Sequence, residues 1–267
     1  MTRRKNRLKK RDFSKGVYLL PNLATSLNLF CGFFSVVSAL EGHFLRAAVA
    51  IIIAGVFDNL DGRIARATRS TSRFGVEYDS LADLVSFGMA PALLAYLWAL
   101  RPFGRLGWLA AFLFVACGAL RLARFNTQAG TTDGSKFTGL PIPGAAGMVA
   151  TLVLFYDRVG FPATMYPLVV LVLLYALSYL MVSSIPYHSF KKKEEHRSFN
   201  SLVLTLLVLI FIAAEPAVAL FMVGVTYMLS GPVRFVSGHL KHARDKEPEA
   251  LPQAKPEEHS GPTGSSD

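Results

Sequence analysis

Charge is scarce in this chain. Of its 267 residues only 17% are Asp, Glu, Lys or Arg, against about a quarter in a soluble domain. Cysteine is nearly absent as well. Cys31 and Cys117 both sit in apolar segments, which excludes a disulfide framework or a thiolate metal site and leaves two small buried hydrophobes. No internal repeat of fixed period is present, so a solenoid is excluded. Hydrophobic side chains are plentiful, 52% of the residues, with a mean hydropathy of +0.39. Apolar runs of about twenty residues recur, the length of a membrane-spanning helix. The expected fold is all-α, a polytopic integral membrane bundle of about eight transmembrane helices.

The runs lie at 18–40, 44–67, 78–100, 106–126, 141–157, 162–184, 198–214 and 216–234. The last two are divided by Glu215 and Pro216; joined, they would be too long for a bilayer of about 30 Å. The residual charge is unevenly placed. The first fifteen residues carry eight Lys or Arg. In a membrane chain such a segment reads as an anchor to anionic headgroups rather than a nucleic-acid tail. It does not read as a signal peptide, because Asn22, Thr25 and Asn28 interrupt the following run and no small-residue cleavage site is clear. Further basic residues follow the second run (Arg63, Arg66, Arg69, Arg73), the fourth (Arg121, Arg124, Lys136), the sixth ("KKKEEHR") and the eighth (Arg234, Lys241, Arg244, Lys246). The opposite loops hold only Arg46, then Arg101 and Arg105, then Arg158. The positive-inside rule puts both termini in the cytoplasm of a multi-pass protein of the cell membrane. Residues 1–16 are then a basic cytoplasmic segment, 17–240 the transmembrane domain, and 241–267 a cytoplasmic tail, proline-bearing and poor in apolar residues, that is expected to be disordered.

Acid is concentrated in one place. Asp58, Asp61, Asp79 and Asp83 fall within 26 residues. The first pair is spaced i, i+3 and the second i, i+4, so on helices each pair shares a face. They lie at the end of the second run and the start of the third, which a short turn joins. Four carboxylates can thus converge, and they repel one another unless a cation intervenes; isolated anions at bilayer depth are costly. A set with no His or Cys favours Mg²⁺, Mn²⁺ or Ca²⁺ over Zn²⁺. Two such ions, bridged by carboxylates, suit phosphoryl displacement. Helix-end pairing with Arg63, Arg66, Arg69 and Arg73 is the plainer reading, and it accounts for one or two of the acids but not for two same-face pairs. Gly62, Ala65 and Gly75 strip bulk from these faces, which permits close helix packing or close approach of a phosphorylated ligand. Arg66 is placed to neutralise a phosphate.

Asp58-x2-Asp61-Gly62-x2-Ala65-Arg66-x8-Gly75-x3-Asp79-x3-Asp83 resembles the signature of the CDP-alcohol phosphotransferase family at all eight fixed positions. "PNLATSLNLFCG" from Pro21, "LRLARFN" from Leu120, "FTGLPIPGAA" from Phe137 and "SSIPYHSFK" from Ser183 are similar to the phosphatidylserine synthase branch, so the likeness covers about residues 17 to 191. The resemblance implies a membrane enzyme that moves the phosphatidyl group of CDP-diacylglycerol to the hydroxyl of L-serine, giving phosphatidylserine and CMP by in-line displacement. It implies two divalent cations, Mg²⁺ or Mn²⁺, on Asp58, Asp61, Asp79 and Asp83, with Asp83 also the general base. It implies donor contacts from Gly62, Gly75, Arg66 and Ser72, with Asn22 and Thr25 lining the nucleotide pocket. Members of the family tend to be homodimers, and the same is carried over here; no nucleic-acid partner is implied.

Arg121 and Arg124, spaced i, i+3, read either as snorkelling anchors or as contacts to donor phosphate or serine carboxylate. Pro141 and Pro143 read best as a helix start. Tyr187, His188 and Lys191 read as interfacial, and the lysine run beside them as a binder of anionic lipid. Three other functions compete: a sister enzyme using glycerol 3-phosphate, inositol phosphate or choline, or an archaeal-type lipid donor; a divalent-cation transporter; and a membrane scaffold. Arg66 weighs against the transporter, since a cation path gains little from a fixed positive charge.

Overall fold

The structure, a computed structural model, describes residues 2–68, 72–128, 139–161, 167–185 and 214–244. Seven helical rods account for almost all of these: α1 (Thr2–Leu40), α2 (Phe44–Thr68), α3 (Arg73–Phe103), α4 (Arg105–Gln128), α5 (Ile142–Val159), α6 (Pro167–Val182) and α7 (Pro216–Arg244). There is no strand among the described residues, so the all-α expectation holds. Among the described residues five stretches are long and apolar enough to cross a membrane: Leu20–Leu40, Arg73–Phe103, Arg105–Thr127, Ile142–Val159 and Pro216–Arg234.

The expected count of eight is not reached among the described residues. The second run forms α2, but its end carries two acids and two arginines. The sixth run forms only the 16-residue α6. The seventh, 198–214, lies almost entirely outside the described residues, as do Tyr187, His188, Lys191, the "KKKEEHR" loop and the tail.

Small side chains let the helices close up. Ala47, Ala48, Ala54, Ala90, Ala95, Ala110, Ala145 and Ala150 are fully buried where α2, α3, α4 and α5 meet. Phe87, Phe114, Leu94, Leu174 and Leu177 fill the space between them. Phe30, Phe33, Phe112, Val172 and Tyr179 point outward, an apolar surface suited to acyl chains. A tight seam joins α1 to α3: a Cβ on Gly32 would lie 2.6 Å from the Cα of Ser86. A chain atom cannot be accommodated there, which is why this position is glycine.

The turns are short. Gly42 (φ 81) reverses the chain between α1 and α2, with the His43 amide donating to the Ser38 carbonyl at 2.8 Å. Proline starts α5, as expected, with Pro141 at its cap. Just before it, the Gly139 amide donates to the Ile185 carbonyl and the Leu140 amide to that of Leu180, each at 2.9 Å. These two bonds tie the start of α5 to the end of α6. At the opposite end of the bundle Arg158, on α5, makes a two-pronged ion pair with Glu215 beside α7, its Nε 2.7 Å from Oε2.

Candidate active site

The four aspartates sit where α2 ends and α3 begins. α3 starts at Ser72, whose extended backbone and hydroxyl cap the helix, the hydroxyl accepting from the Gly75 amide at 3.0 Å. A Cβ on Gly75 would meet Ser72 Oγ at 3.1 Å and Asn22 Oδ1 at 3.5 Å. The missing side chain therefore brings the cap against α1. From this fixed start Asp79 and Asp83 fall on the face turned to α2, and the α-helix widens into a π-helical stretch, Leu84–Met89, immediately after Asp83. Such widened turns recur at functional positions.

Carboxylate oxygens of Asp58, Asp61 and Asp79 all lie within 4.8 Å of one another. Asp83 faces Asp58, and Asp79 faces Asp61, side chain to side chain. Asp61 and Asp83 are buried. Asp79 Oδ1 is buried with no hydrogen-bond partner. A group of acids this close, with an orphaned oxygen turned inward, is unfavourable without positive charge. The donor set is all oxygen, so it fits hard divalent cations. The two same-face pairs expected from helical spacing thus converge in space.

The first helix supplies polar groups to two of the acids. Thr25 Oγ1 donates to Asp61 Oδ2 at 2.9 Å, and Asn28 Nδ2 donates to Asp83 Oδ1 at 3.0 Å. Asn28 is fully buried, its carbonyl oxygen accepts from the Ser86 hydroxyl at 2.9 Å, and its side-chain Oδ1 has no partner. Ser26 and Tyr78 share a hydrogen bond at 2.9 Å, a second tie between α1 and α3.

A cleft of about 160 Å³ opens beside the acids, lined by Pro21, Asn22, Thr25, Asp61, Gly62, Ala65, Arg66, Ser72, Gly75, Val76 and Asp79. Every residue expected at the donor pocket (Asn22, Thr25, Gly62, Arg66, Ser72 and Gly75) is in this wall. The Arg66 guanidinium lies over Gly62: its Nη1 is 3.4 Å from where a Cβ would stand. Bare backbone, one guanidinium and several hydroxyl or amide groups make a wall suited to a phosphorylated, hydrogen-bonding ligand.

The two arginines of α4 part company. Arg124 is exposed. Arg121 is half-buried, with its Nε enclosed and unpartnered, and its charge is felt by Asp83 and by Tyr227 on α7. Sequence reasoning treated the pair alike. It also passed over Asn28, Ser86, Tyr78 and Tyr227 as site residues. For Asn28 a signal existed: Asn22, Thr25 and Asn28 recur every three residues through an apolar run, a polar stripe along one helix face. Nothing in the sequence marks Tyr227.

Residues 18–182, which include every element bearing the aspartates and the cleft, match the CDP-alcohol phosphatidyltransferase family. The chain is 40% identical over 220 residues to the CDP-diacylglycerol–serine O-phosphatidyltransferase of Helicobacter pylori (strain ATCC 700392 / 26695), covering 82% of this chain and 92% of the relative. It is 39% identical over 174 residues to the enzyme of the same name from Bacillus subtilis (strain 168), 65% of this chain and 92% of the relative. It is 40% identical over 172 residues to the archaetidylserine synthase of Methanothermobacter thermautotrophicus, 63% of this chain and 69% of the relative. A signature complete at eight positions, its four acids gathered in space, and a match across the bundle agree: the chain belongs to the CDP-alcohol phosphatidyltransferase family.

Proposed function

We propose that this protein transfers the phosphatidyl group of CDP-diacylglycerol to the hydroxyl of L-serine, releasing phosphatidylserine and CMP. The observation that carries the reading is the convergence of Asp58, Asp61 and Asp79, with Asp83 facing Asp58, beside the cleft of Arg66 and Gly62. The names borne by its relatives in Helicobacter and Bacillus support the choice of donor and acceptor.

The serine hydroxyl oxygen forms a bond to the phosphorus that carries diacylglycerol. The bond from that phosphorus to CMP breaks, and CMP leaves with the electron pair. The proton of the attacking hydroxyl passes to Asp83, a buried acid, in one in-line step. Arg66 and the backbone at Gly62 and Gly75 hold the diphosphate, while Asn22, Thr25 and Ser72 line the nucleotide end. Asp58, Asp61, Asp79 and Asp83 would hold Mg²⁺ or Mn²⁺, which offsets charge on the diphosphate and the departing CMP. Thr25 and Asn28 keep two of those carboxylates oriented.

Arg63, Arg66 and Arg73 flank the α2–α3 junction that holds the cleft, so by the positive-inside rule we place the site and both termini in the cytoplasm. A homodimer is expected from the family and is checked by cross-linking in nanodiscs. The deciding experiment supplies the purified protein with labelled CDP-diacylglycerol and, in turn, serine, glycerol 3-phosphate, inositol phosphate and choline. CMP and phosphatidylserine with serine alone support the assignment; CMP only with another alcohol overturns it. An archaeal-type donor is run in parallel, because one relative is an archaetidylserine synthase.

A further inference from the structure

Arg46 stands between two hollows at the end of the bundle opposite the acids. Asp61 lies fifteen residues further along α2, about 22 Å of rise. In a bilayer core about 30 Å thick the two residues therefore belong to opposite leaflets. One hollow is a groove of about 280 Å³ between α1 and α2. Phe30, Phe34, Val49 and Ile53 wall it from the outer surface, and Arg46 is the one charged residue in its lining. From Leu45 to Ile53 the groove follows α2 for about 12 Å toward the middle of the membrane.

The other hollow is a cavity of about 450 Å³ where the turn from α1 to α2 meets α3 and α5. Leu45 and Arg46 line both, so the two adjoin. Its aromatic wall is ordered: Tyr156 is buried, with Trp98 edge-on to its ring at 5.4 Å and Phe161 at 6.2 Å. Trp98 is carried by a second π-helical stretch of α3, Tyr96–Leu100, and such widened turns recur at functional positions. Arg46 and Asp157 supply opposite charges to this wall. Both are exposed, and among the described residues neither side chain has an ion pair or hydrogen bond. The neighbouring ions are committed elsewhere, His43 to Glu41 at 3.4 Å and Arg158 to Glu215. Snorkelling accounts for an arginine at this depth. It does not account for an acid left unpaired in the same aromatic cavity.

The complementary molecule has an apolar tail, then an anion, then a cation. We propose that the two hollows hold one phospholipid with an ammonium headgroup, in the leaflet opposite the acids. Its acyl chain lies in the groove and its phosphate on the Arg46 guanidinium. Its ammonium group lies in the cavity with Asp157 and the indole face of Trp98. The donor cleft shares no residue with either hollow. The lipid is thus a resident of the fold, bracing the α1–α2 turn against α3 and α5, and is separate from the donor.

The test uses the full-length protein in nanodiscs of phosphatidylglycerol, which has the phosphate but no ammonium. A trace of photoreactive phosphatidylethanolamine or of photoreactive phosphatidylglycerol is added, the reactive group in an acyl chain, and labelled peptides are mapped by mass spectrometry. At equal dose phosphatidylethanolamine labels the groove of Phe30, Phe34, Val49 and Ile53 about fivefold more, the joint effect of an exposed charge pair and a cation–π contact. Asp157→Asn lowers that ratio to about twofold or less and leaves labelling by phosphatidylglycerol as it was. Arg46→Gln lowers labelling by both lipids about fivefold, and Arg46→Lys restores most of it. Equal labelling of every outward-facing helix would mean a lipid annulus only and overturn the proposal. So would a preference for phosphatidylglycerol, or groove labelling that neither Arg46→Gln nor Asp157→Asn alters. A KM for CDP-diacylglycerol that moves in step with the labelling would assign the lipid to the donor cleft instead, and the proposal would fall.

Discussion

Thr25 on α1 donates through its hydroxyl to Asp61 on α2, at 2.9 Å. The bond joins the wall of the cleft to the cluster of acids, so it links how the nucleotide is held to how the carboxylates point. Thr25→Val keeps the shape and removes the donor. A lost buried hydrogen bond to a charged group costs about 1–3 kcal/mol. The expected result is a several-fold higher Mn²⁺ or Mg²⁺ concentration for half-maximal rate. An unchanged metal titration would show that Thr25 does not orient Asp61.

Asp83→Asn removes the proton acceptor and leaves the side-chain volume. Turnover falls by about a hundredfold or more, while CDP-diacylglycerol binding persists. Near-normal turnover in a folded variant would remove Asp83 from the base role. A phosphatidyl-protein adduct trapped from donor alone would replace direct displacement with a two-step route.

Gly32→Ala and Gly62→Ala separate packing from chemistry. At Gly32 the new methyl meets the Ser86 backbone at 2.6 Å, and overpacking of this kind costs about 1–3 kcal/mol. The melting temperature drops, and activity drops with it. At Gly62 the nearest atoms belong to the Arg66 side chain, 3.4 Å or more away, which can move. There the melting temperature holds and the KM for CDP-diacylglycerol rises. Equal behaviour of the two variants would contradict the division.

The far end of the bundle supplies a control. Arg158 and Glu215 pair there across exposed surface, and exposed pairs contribute little. Arg158→Gln should leave kcat and both KM values unchanged. A loss of turnover would mean that α5 and α7 transmit strain along their length to the acids.

Sidedness is open to labelling. With Cys31 and Cys117 replaced by serine, Arg63→Cys should react with an impermeant maleimide only after the cells are permeabilised, and Arg158→Cys should react in intact cells. The reverse pattern would place the cleft outside.

Much of the centre was legible because its information is local. Asp58 with Asp61, and Asp79 with Asp83, advertise their shared faces through helical spacing alone, and the short link between their helices brings the faces together. The residues that the resemblance assigned to the donor line one cleft, drawn from three neighbouring stretches of chain. What escaped was non-local. Asn28 meets its partner 55 residues away, and a lone polar residue in an apolar run has several plain explanations. Arg121 and Arg124 look equivalent until the register of α4 against α3 is known; only then does one enter the bundle and the other leave it. The count of eight spans stays unsettled among the described residues, where the end of α2 carries Asp58, Asp61, Arg63 and Arg66 and the run 198–214 is almost wholly outside them.

The polar stripe of α1 bears on how the protein is assembled. α1, made before α2 and α3, carries Thr25 and Asn28, whose partners lie on α2 and α3. Alone in the bilayer, those side chains face hydrocarbon with nothing to bond. The second and third helices, alone, bring four acids with the same difficulty. Each group is tolerable only in the presence of the other, so α1, α2 and α3 should leave the insertion machinery as one unit, and a fragment ending before α3 should be retained there or degraded.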